Sequence, residues 1–78
     1  MSTRKQNEQR FKTWKELHGG GRLYQQFVAG RSGWSAVYCK EVDSSENTVR
    51  FWQEIFDDSG CLREIHEKFP VDQGHRKI

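Results

Sequence analysis

The sequence predicts an α+β fold in which an N-terminal helix packs on a four-stranded antiparallel β-meander, followed by an irregular C-terminal tail. Three observations support this prediction. Residues 3–18 are rich in helix-forming side chains and contain neither proline nor glycine. Four runs containing β-branched and aromatic residues follow, and each ends in turn-forming residues. The chain has 78 residues, which is enough for a single small domain over residues 1–78.

The predicted helix covers residues 3–18, and its apolar side recurs at spacings of three and four: Phe11, Trp14, Leu17 and His18. Three consecutive glycines come next, and glycine readily adopts the left-handed conformation that ends a helix. Residues 1–21 are therefore predicted to form the helix and a flexible glycine joint to the sheet.

The predicted strands cover residues 22–29, 34–42, 48–56 and 61–69, within a sheet region of 22–69. Short connections favour antiparallel pairing of each strand with the next. Pro70 cannot donate a hydrogen bond to a neighbouring strand, so it is expected to end the last strand. Residues 70–78 are left as the irregular tail.

Charges predict the pairing of the last two strands. With Phe56 opposite Cys61 and Trp52 opposite Ile65, Glu54 faces Arg63 and Arg50 faces Glu67, whereas a shift of one residue would oppose like charges. Alternation then sorts the apolar side chains into two faces. The first carries Leu23, Phe27, Trp34, Ala36, Tyr38, Val42, Val49, Phe51, Ile55 and Leu62. The second carries Tyr24, Val28, Val37, Cys39, Trp52, Phe56, Cys61, Ile65 and Phe69.

Neither predicted face is polar, although an antiparallel sheet with one wet face normally alternates apolar and polar residues. One helix can cover only the first, richer face. The second face is therefore predicted to bind a partner, and the function predicted from it is that of a non-enzymatic protein-interaction module, self-associating as a homodimer or binding another protein. The residues predicted to bind the partner are Tyr24, Arg50, Trp52, Phe56, Arg63 and Ile65. In the competing interpretation the sheet curls or the tail crosses it, and both faces are interior.

Nucleic-acid binding is the first alternative function, because sheet aromatics beside arginine can stack on bases. Residues 1–22 carry six Lys or Arg against two Glu, whereas residues 23–65 carry four basic against seven acidic side chains. The predicted helix would supply phosphate contacts through its basic residues: Arg4, Lys5, Arg10, Lys12 and Lys15. The formal net charge of only +2 is far from that of a dedicated nucleic-acid binder.

A small histidine-dependent nuclease or hydrolase is the second alternative. His66, Asp72 and His75 lie close together in the sequence and include the residue types of general acid–base catalysis. The competing interpretation makes His66 a neighbour of Phe51 at the sheet margin and residues 70–74 a turn. No nucleophile accompanies the histidines.

Cofactors, disulfides and membrane spans are not predicted. His18, His66 and His75 do not share a metal-ligand spacing. Cys39 and Cys61 would lie two strands apart, or about 10 Å, which exceeds the roughly 7 Å that a disulfide tolerates. Free thiols, a polar N-terminus and the absence of a long apolar run predict a cytoplasmic protein that has no contact with a membrane.

Overall fold

The computed structural model describes residues 3–78, which form one six-stranded antiparallel sheet and one short helix. Each strand pairs with the next along the chain. No helix among these residues is long and apolar enough to cross a membrane. The elements in chain order are the helix α1 (Arg4–Arg10) and the strands β1 (Thr13–Glu16), β2 (Arg22–Ala29), β3 (Ser35–Val42), β4 (Thr48–Phe56), β5 (Leu62–Phe69) and β6 (Gly74–Lys77). The prediction of four strands, a long helix and an irregular tail is therefore wrong.

The helix α1 has seven residues, and the capping residues Thr3 and Phe11 set its two ends. The Thr3 hydroxyl accepts a hydrogen bond from the Gln6 backbone at 3.1 Å, and the Gln6 side chain accepts one from the Thr3 backbone at 2.9 Å. This reciprocal capping box satisfies two backbone donors at the helix start. Phe11 has an extended backbone and ends the helix after seven residues. A helix of this length depends on tertiary contacts for its stability.

The second half of the predicted helix forms the edge strand β1 instead. Thr13 pairs with Gln25 and Trp14 with Tyr24, so this segment completes the hydrogen bonding of β2. Gly19 has φ +88°, and the turn that contains it includes a hydrogen bond from Gly20 to Leu17. The glycines therefore make a hairpin turn and not a helix cap. Trp14 remains 39% exposed, and its ring centroid lies 6.0 Å from that of Tyr24. Strand pairing with β2 and this ring contact therefore hold the segment in an extended conformation.

The tail predicted to be irregular forms the second edge strand, β6. The backbone turns at residues 70–73, where Asp72 accepts a hydrogen bond from the Gly74 backbone at 2.9 Å. The backbone N–H of Gln73 donates to Glu67 at 2.9 Å. The chain then returns along β5, which places His75 directly opposite His66.

The pairing of β4 with β5 differs from the predicted register. Trp52 lies opposite Glu67 and Phe56 lies opposite Leu62, with irregularities on both sides of the segment between them. The cause is the turn, since Asp57 pairs with Cys61 through a backbone hydrogen bond of 2.9 Å. The Asp57 carboxylate also accepts from the Cys61 backbone at 3.0 Å. Local side-chain to backbone bonds therefore fixed the register more strongly than exposed charge pairs did.

The connection between β2 and β3 places the side chains of β2 on the opposite faces from those predicted. Gly30 pairs with Trp34, so three residues make the loop instead of four. Gly33 in this loop has φ +82°, which favours glycine. A shift of one residue moves every side chain of a strand to the other face. Tyr24 therefore lies on the same face as Tyr38 and Phe51.

The apolar core lies between α1 and this face. Phe11, Tyr24 and Val42 are fully buried, and Tyr38 and Phe51 pack against them. Phe11 and Tyr24 have ring centroids 5.7 Å apart. The sheet is thus covered by the helix at one end of one face only, which leaves two surfaces open to be assessed for function.

A buried polar network joins α1 to the turn between β3 and β4. The Glu46 carboxylate accepts hydrogen bonds from Tyr24 Oη at 2.7 Å, Asn7 Nδ2 at 2.9 Å and Arg4 Nε at 2.8 Å. Burial alone would raise the pKa of Glu46, but these three donors outweigh it and hold that pKa below its usual value. Glu46 is therefore ionised and anchors the helix to the sheet.

Candidate functional sites on the two faces of the sheet

The face opposite α1 carries a set of apolar side chains from four strands, and we call it the tryptophan face. Its apolar members are Leu23, Phe27, Val37, Cys39, Trp52, Phe56, Leu62 and Ile65, as the register of β2 to β5 indicates. Among residues 3–78, no helix or strand packs over this face, because α1 contacts the other one. The face therefore has no second structural layer in the described part of the chain.

Polar side chains cover the middle of the tryptophan face. The Arg50 guanidinium lies 4.1 Å from the centroid of the Trp52 ring, and Arg50 Nε donates to Glu67 at 2.7 Å. Trp52 Nε1 donates to Glu54 at 3.1 Å. As a result only 9% of Trp52 is exposed. The apolar surface that is still accessible lies beside this cluster, where Phe27 is 68% exposed and pairs with Val37.

The structure brings together most of the residues that were predicted to bind a partner. Arg50, Trp52, Phe56 and Ile65 share the tryptophan face. Arg63 is exposed at the irregularity in β5 and lies 3.9 Å from Asp57. Tyr24 does not belong to this set, because it is fully buried on the opposite face beneath Phe11. Phe27 was assigned to the wrong face for the same reason, the one-residue shift of β2.

The two cysteines are free thiols in very different surroundings. Cys39 is buried on the tryptophan face, where burial raises the pKa of its thiol to about 11. Cys61 is exposed in the turn before β5.

Alkylation should therefore distinguish the two thiols. At pH 8 iodoacetamide should modify Cys61 at least about 100-fold faster than Cys39, since only the exposed thiol is accessible and the thiolate is the reactive form. Timed quenching followed by peptide mass spectrometry measures both rates. Addition of 6 M guanidinium chloride should make the rates similar. Equal rates in the native protein would contradict the burial of Cys39.

On the face that carries α1, a line of polar side chains crosses four neighbouring strands. Tyr38, Gln53, His66 and His75 lie directly opposite one another in register, and we call them the histidine row. Gln53 Nε2 donates to Tyr38 Oη at 3.2 Å. The helix covers Tyr24 at the other end of this face, so the row is accessible from solvent at its β6 end, where His75 is exposed.

The two histidines of the row are in contact, and each has a carboxylate on one ring nitrogen. Their ring centroids are 4.4 Å apart. His66 Nε2 lies 2.7 Å from Asp72 Oδ1, and His75 Nδ1 lies 3.4 Å from Glu64 Oε1. Hydrogen bonds from the Gly74 backbone and from His66 hold the pKa of Asp72 below its usual value. Each imidazole thus keeps one nitrogen, His66 Nδ1 and His75 Nε2, that has no carboxylate partner among these contacts.

Positive charge flanks the histidine row. Lys68 Nζ lies 5.1 Å from the centroid of the Tyr38 ring and 5.6 Å from that of Phe51. On the other side of the row, Lys77 lies opposite Glu64. The basic N-terminal residues form a smaller positively charged surface than the predicted helix would have formed. The reason is that α1 ends at Arg10 and that Arg4 is bound to Glu46. Lys12 and Lys15 lie beyond the helix.

A cleft of about 270 Å³ opens on the same face between α1 and the end of β5. Phe11, Phe51 and Phe69 line it together with the cations Arg10 and Lys40. Burial lowers the pKa of Lys40. This face therefore combines aromatic rings, cations and two histidines in contact, whereas the tryptophan face combines apolar side chains with charges of both signs.

Comparisons with protein-family models, curated proteins and solved structures found no match to this chain. The function therefore has to be argued from the two surfaces themselves.

Proposed function

We propose that this protein is a protein-interaction module that forms a homodimer through the tryptophan face. One observation carries the proposal: apolar side chains from four strands lie on a face with no covering layer in residues 3–78, and Phe27 at its edge is 68% exposed. The accessible apolar surface lies around Phe27 and Val37, beside the polar cluster over Trp52, and exposed apolar surface bordered by polar groups is typical of protein-binding sites. A dimer would supply the second layer that a one-sided sheet lacks.

The charges on this face favour a second copy as the partner. Arg50 and Arg76 lie on the same face as Glu41, Glu54 and Glu67. In a twofold dimer the same patch meets itself, so it has to carry both signs of charge in order to be complementary. A surface of one sign would repel its own copy, whereas this one can pair arginine of one protomer with glutamate of the other.

The size of the face also suits a small dimer. Four strands about 4.8 Å apart and eight residues long present roughly 500 Å² in projection. Standard interfaces bury about 800 Å² of accessible surface per partner, and weak, transient ones bury less than about 600 Å². Side chains project from the plane and enlarge the accessible surface beyond its projection. We therefore expect a reversible dimer and not an obligate one.

Sedimentation equilibrium tests this proposal. The molar mass should rise from 9.3 kDa toward twice that value as the protein concentration increases. Phe27→Ser should weaken the dimer at least about 10-fold, because an aromatic anchor is lost from the interface. Val71→Ser is the matched control, since Val71 is 64% exposed in the turn before β6. A mass of 9.3 kDa at every concentration, or equal dissociation constants for Phe27→Ser and the wild type, would refute the dimer.

A further inference from the structure

We propose that the histidine row is a catalytic site that cleaves the phosphodiester backbone of single-stranded RNA. The site lies on the opposite face from the proposed dimer surface, so the two proposals stand on separate observations. The row joins two imidazoles in contact, a carboxylate on each of them, and flanking lysines. Neither histidine contributes to the apolar core.

The paired imidazoles suit two proton transfers at neighbouring atoms. With its Nε2–H donated to Asp72, a neutral His66 keeps the lone pair on Nδ1 and can accept a proton. His75 Nδ1 lies 3.4 Å from Glu64, a carboxylate that favours the imidazolium, and a protonated His75 has an Nε2–H to donate. A carboxylate on the second nitrogen fixes the tautomer and orientation of a catalytic histidine in this way. The centroid separation of 4.4 Å allows both rings to contact one phosphodiester.

The chemistry of the row identifies RNA as the substrate class. The row supplies no serine, threonine or cysteine as a nucleophile, and residues 3–78 contain no group of three or more His, Cys, Asp or Glu residues placed to hold a metal ion. A substrate that carries its own nucleophile suits such a site, and the 2′-hydroxyl of RNA lies next to the phosphorus atom that it attacks. DNA lacks this group.

The reaction is a transesterification that needs no further reactant. His66 Nδ1 accepts the proton of the 2′-hydroxyl while the 2′-oxygen forms a bond to phosphorus. The bond from phosphorus to the 5′-oxygen breaks, and His75 Nε2 gives its proton to that oxygen. The products are a 2′,3′-cyclic phosphate and a 5′-hydroxyl end. Exchange of protons with water returns both imidazoles to their starting states.

The surroundings of the row suit a single strand with unstacked bases. Lys68 and Lys77 on the two sides of the row provide positive charge for the phosphates. Lys68 lies over the ring of Tyr38, which keeps this cation beside the histidines. The row is open on the surface of the sheet, so an extended strand can lie across β3 to β6, whereas a rigid duplex holds its 2′-hydroxyls and phosphates in fixed positions.

The test uses a fluorophore-labelled single-stranded oligoribonucleotide in buffer containing EDTA. The wild type should cut it to fragments that end in 2′,3′-cyclic phosphate and should leave the all-deoxy oligonucleotide of the same sequence intact. His75→Ala should lower the initial rate at least about 100-fold, the usual contribution of a general acid or base. His18→Ala is the matched control, because His18 is exposed in the turn after β1, away from the row, and should cut at the wild-type rate.

Several results would overturn the assignment. They are absence of cleavage by the wild type, equal cutting of the deoxy oligonucleotide, loss of activity in EDTA, or a wild-type rate in His75→Ala.

Circular dichroism melting establishes that each variant folds, and His75→Asn replaces the alanine variant if that one does not. Fluorescence anisotropy with the deoxy oligonucleotide measures binding separately, and it should change less than 3-fold in a folded His75 variant if the histidine acts in the chemical step. The variant Phe27→Ser should cut at the wild-type rate, since it lies on the other face.

Discussion

Replacing Phe11 with alanine should lower the free energy of unfolding by about 3 kcal/mol, which is typical for a fully buried phenylalanine. Phe11 is 1% exposed and forms the apolar contact between the end of α1 and Tyr24. Because a domain of this size has a total stability of roughly 4–12 kcal/mol, this one side chain would account for a large part of it. Thermal and urea unfolding followed by circular dichroism measure the change.

The same substitution at Phe69 serves as the control. Phe69 is 42% exposed at the end of β5, so Phe69→Ala should lower the free energy of unfolding by less than half as much as Phe11→Ala. The midpoint of thermal unfolding should fall by about 12 °C or more for Phe11→Ala, since about 1 kcal/mol shifts it by at least 4 °C in a small domain. Equal losses at the two positions would contradict the core described above.

The four central strands could be predicted because turn-forming residues in the local sequence mark where each strand ends. Turn residues such as Gly33 and Gly60, both at positive φ, mark the ends of strands that lie within one residue of the predicted positions. The edge strand β1 could not be predicted in this way. Phe11 and Trp14 are three residues apart, which fits a helix, whereas only pairing with the distant β2 makes the segment extended.

The face on which each side chain lies depends on the lengths of the loops. For β2, a difference of one loop residue decided it. One residue fewer in the connection from β2 to β3 exchanged Tyr24 for Phe27 on the tryptophan face. Charge pairing was a poor guide to the β4 and β5 register, since long side chains reach diagonally. Arg50 does form an ion pair with Glu67, although Trp52 is the residue directly opposite Glu67.

The histidine row was only partly visible in the sequence. His66, Asp72 and His75 lie close together in the sequence, but their contact requires β6 to return along β5. The turn chemistry of Pro70, Asp72 and Gly74 was the available signal for that return. Tyr38 and Gln53 could not be linked to the histidines without the correct register. Nothing in the sequence indicated that Glu46 is buried, because a glutamate in a polar turn is normally exposed.

Replacing Glu46 with glutamine should lower the free energy of unfolding by about 3 kcal/mol, close to the effect at Phe11. The carboxylate is the acceptor for Asn7, Tyr24 and Arg4, and the neutral amide offers one oxygen in its place. Buried donors left without an acceptor lose the hydrogen bonds they had with water in the unfolded chain. Removing one member of a buried charged network is correspondingly costly.

The pH dependence identifies the carboxylate as the cause. Because the pKa of Glu46 is lowered in the folded state, its ionised form stabilises the wild type above the unfolded value of about 4.3, and that contribution is lost as the pH falls through the folded pKa. The difference in unfolding free energy between wild type and Glu46→Gln should therefore be largest at pH 7 and shrink steadily below pH 4. Asp58→Asn removes a carboxylate from an exposed turn and should change stability by less than about 0.5 kcal/mol at either pH. A difference that stays constant from pH 7 to pH 3 would show that packing, and not the charge of Glu46, connects α1 to the sheet.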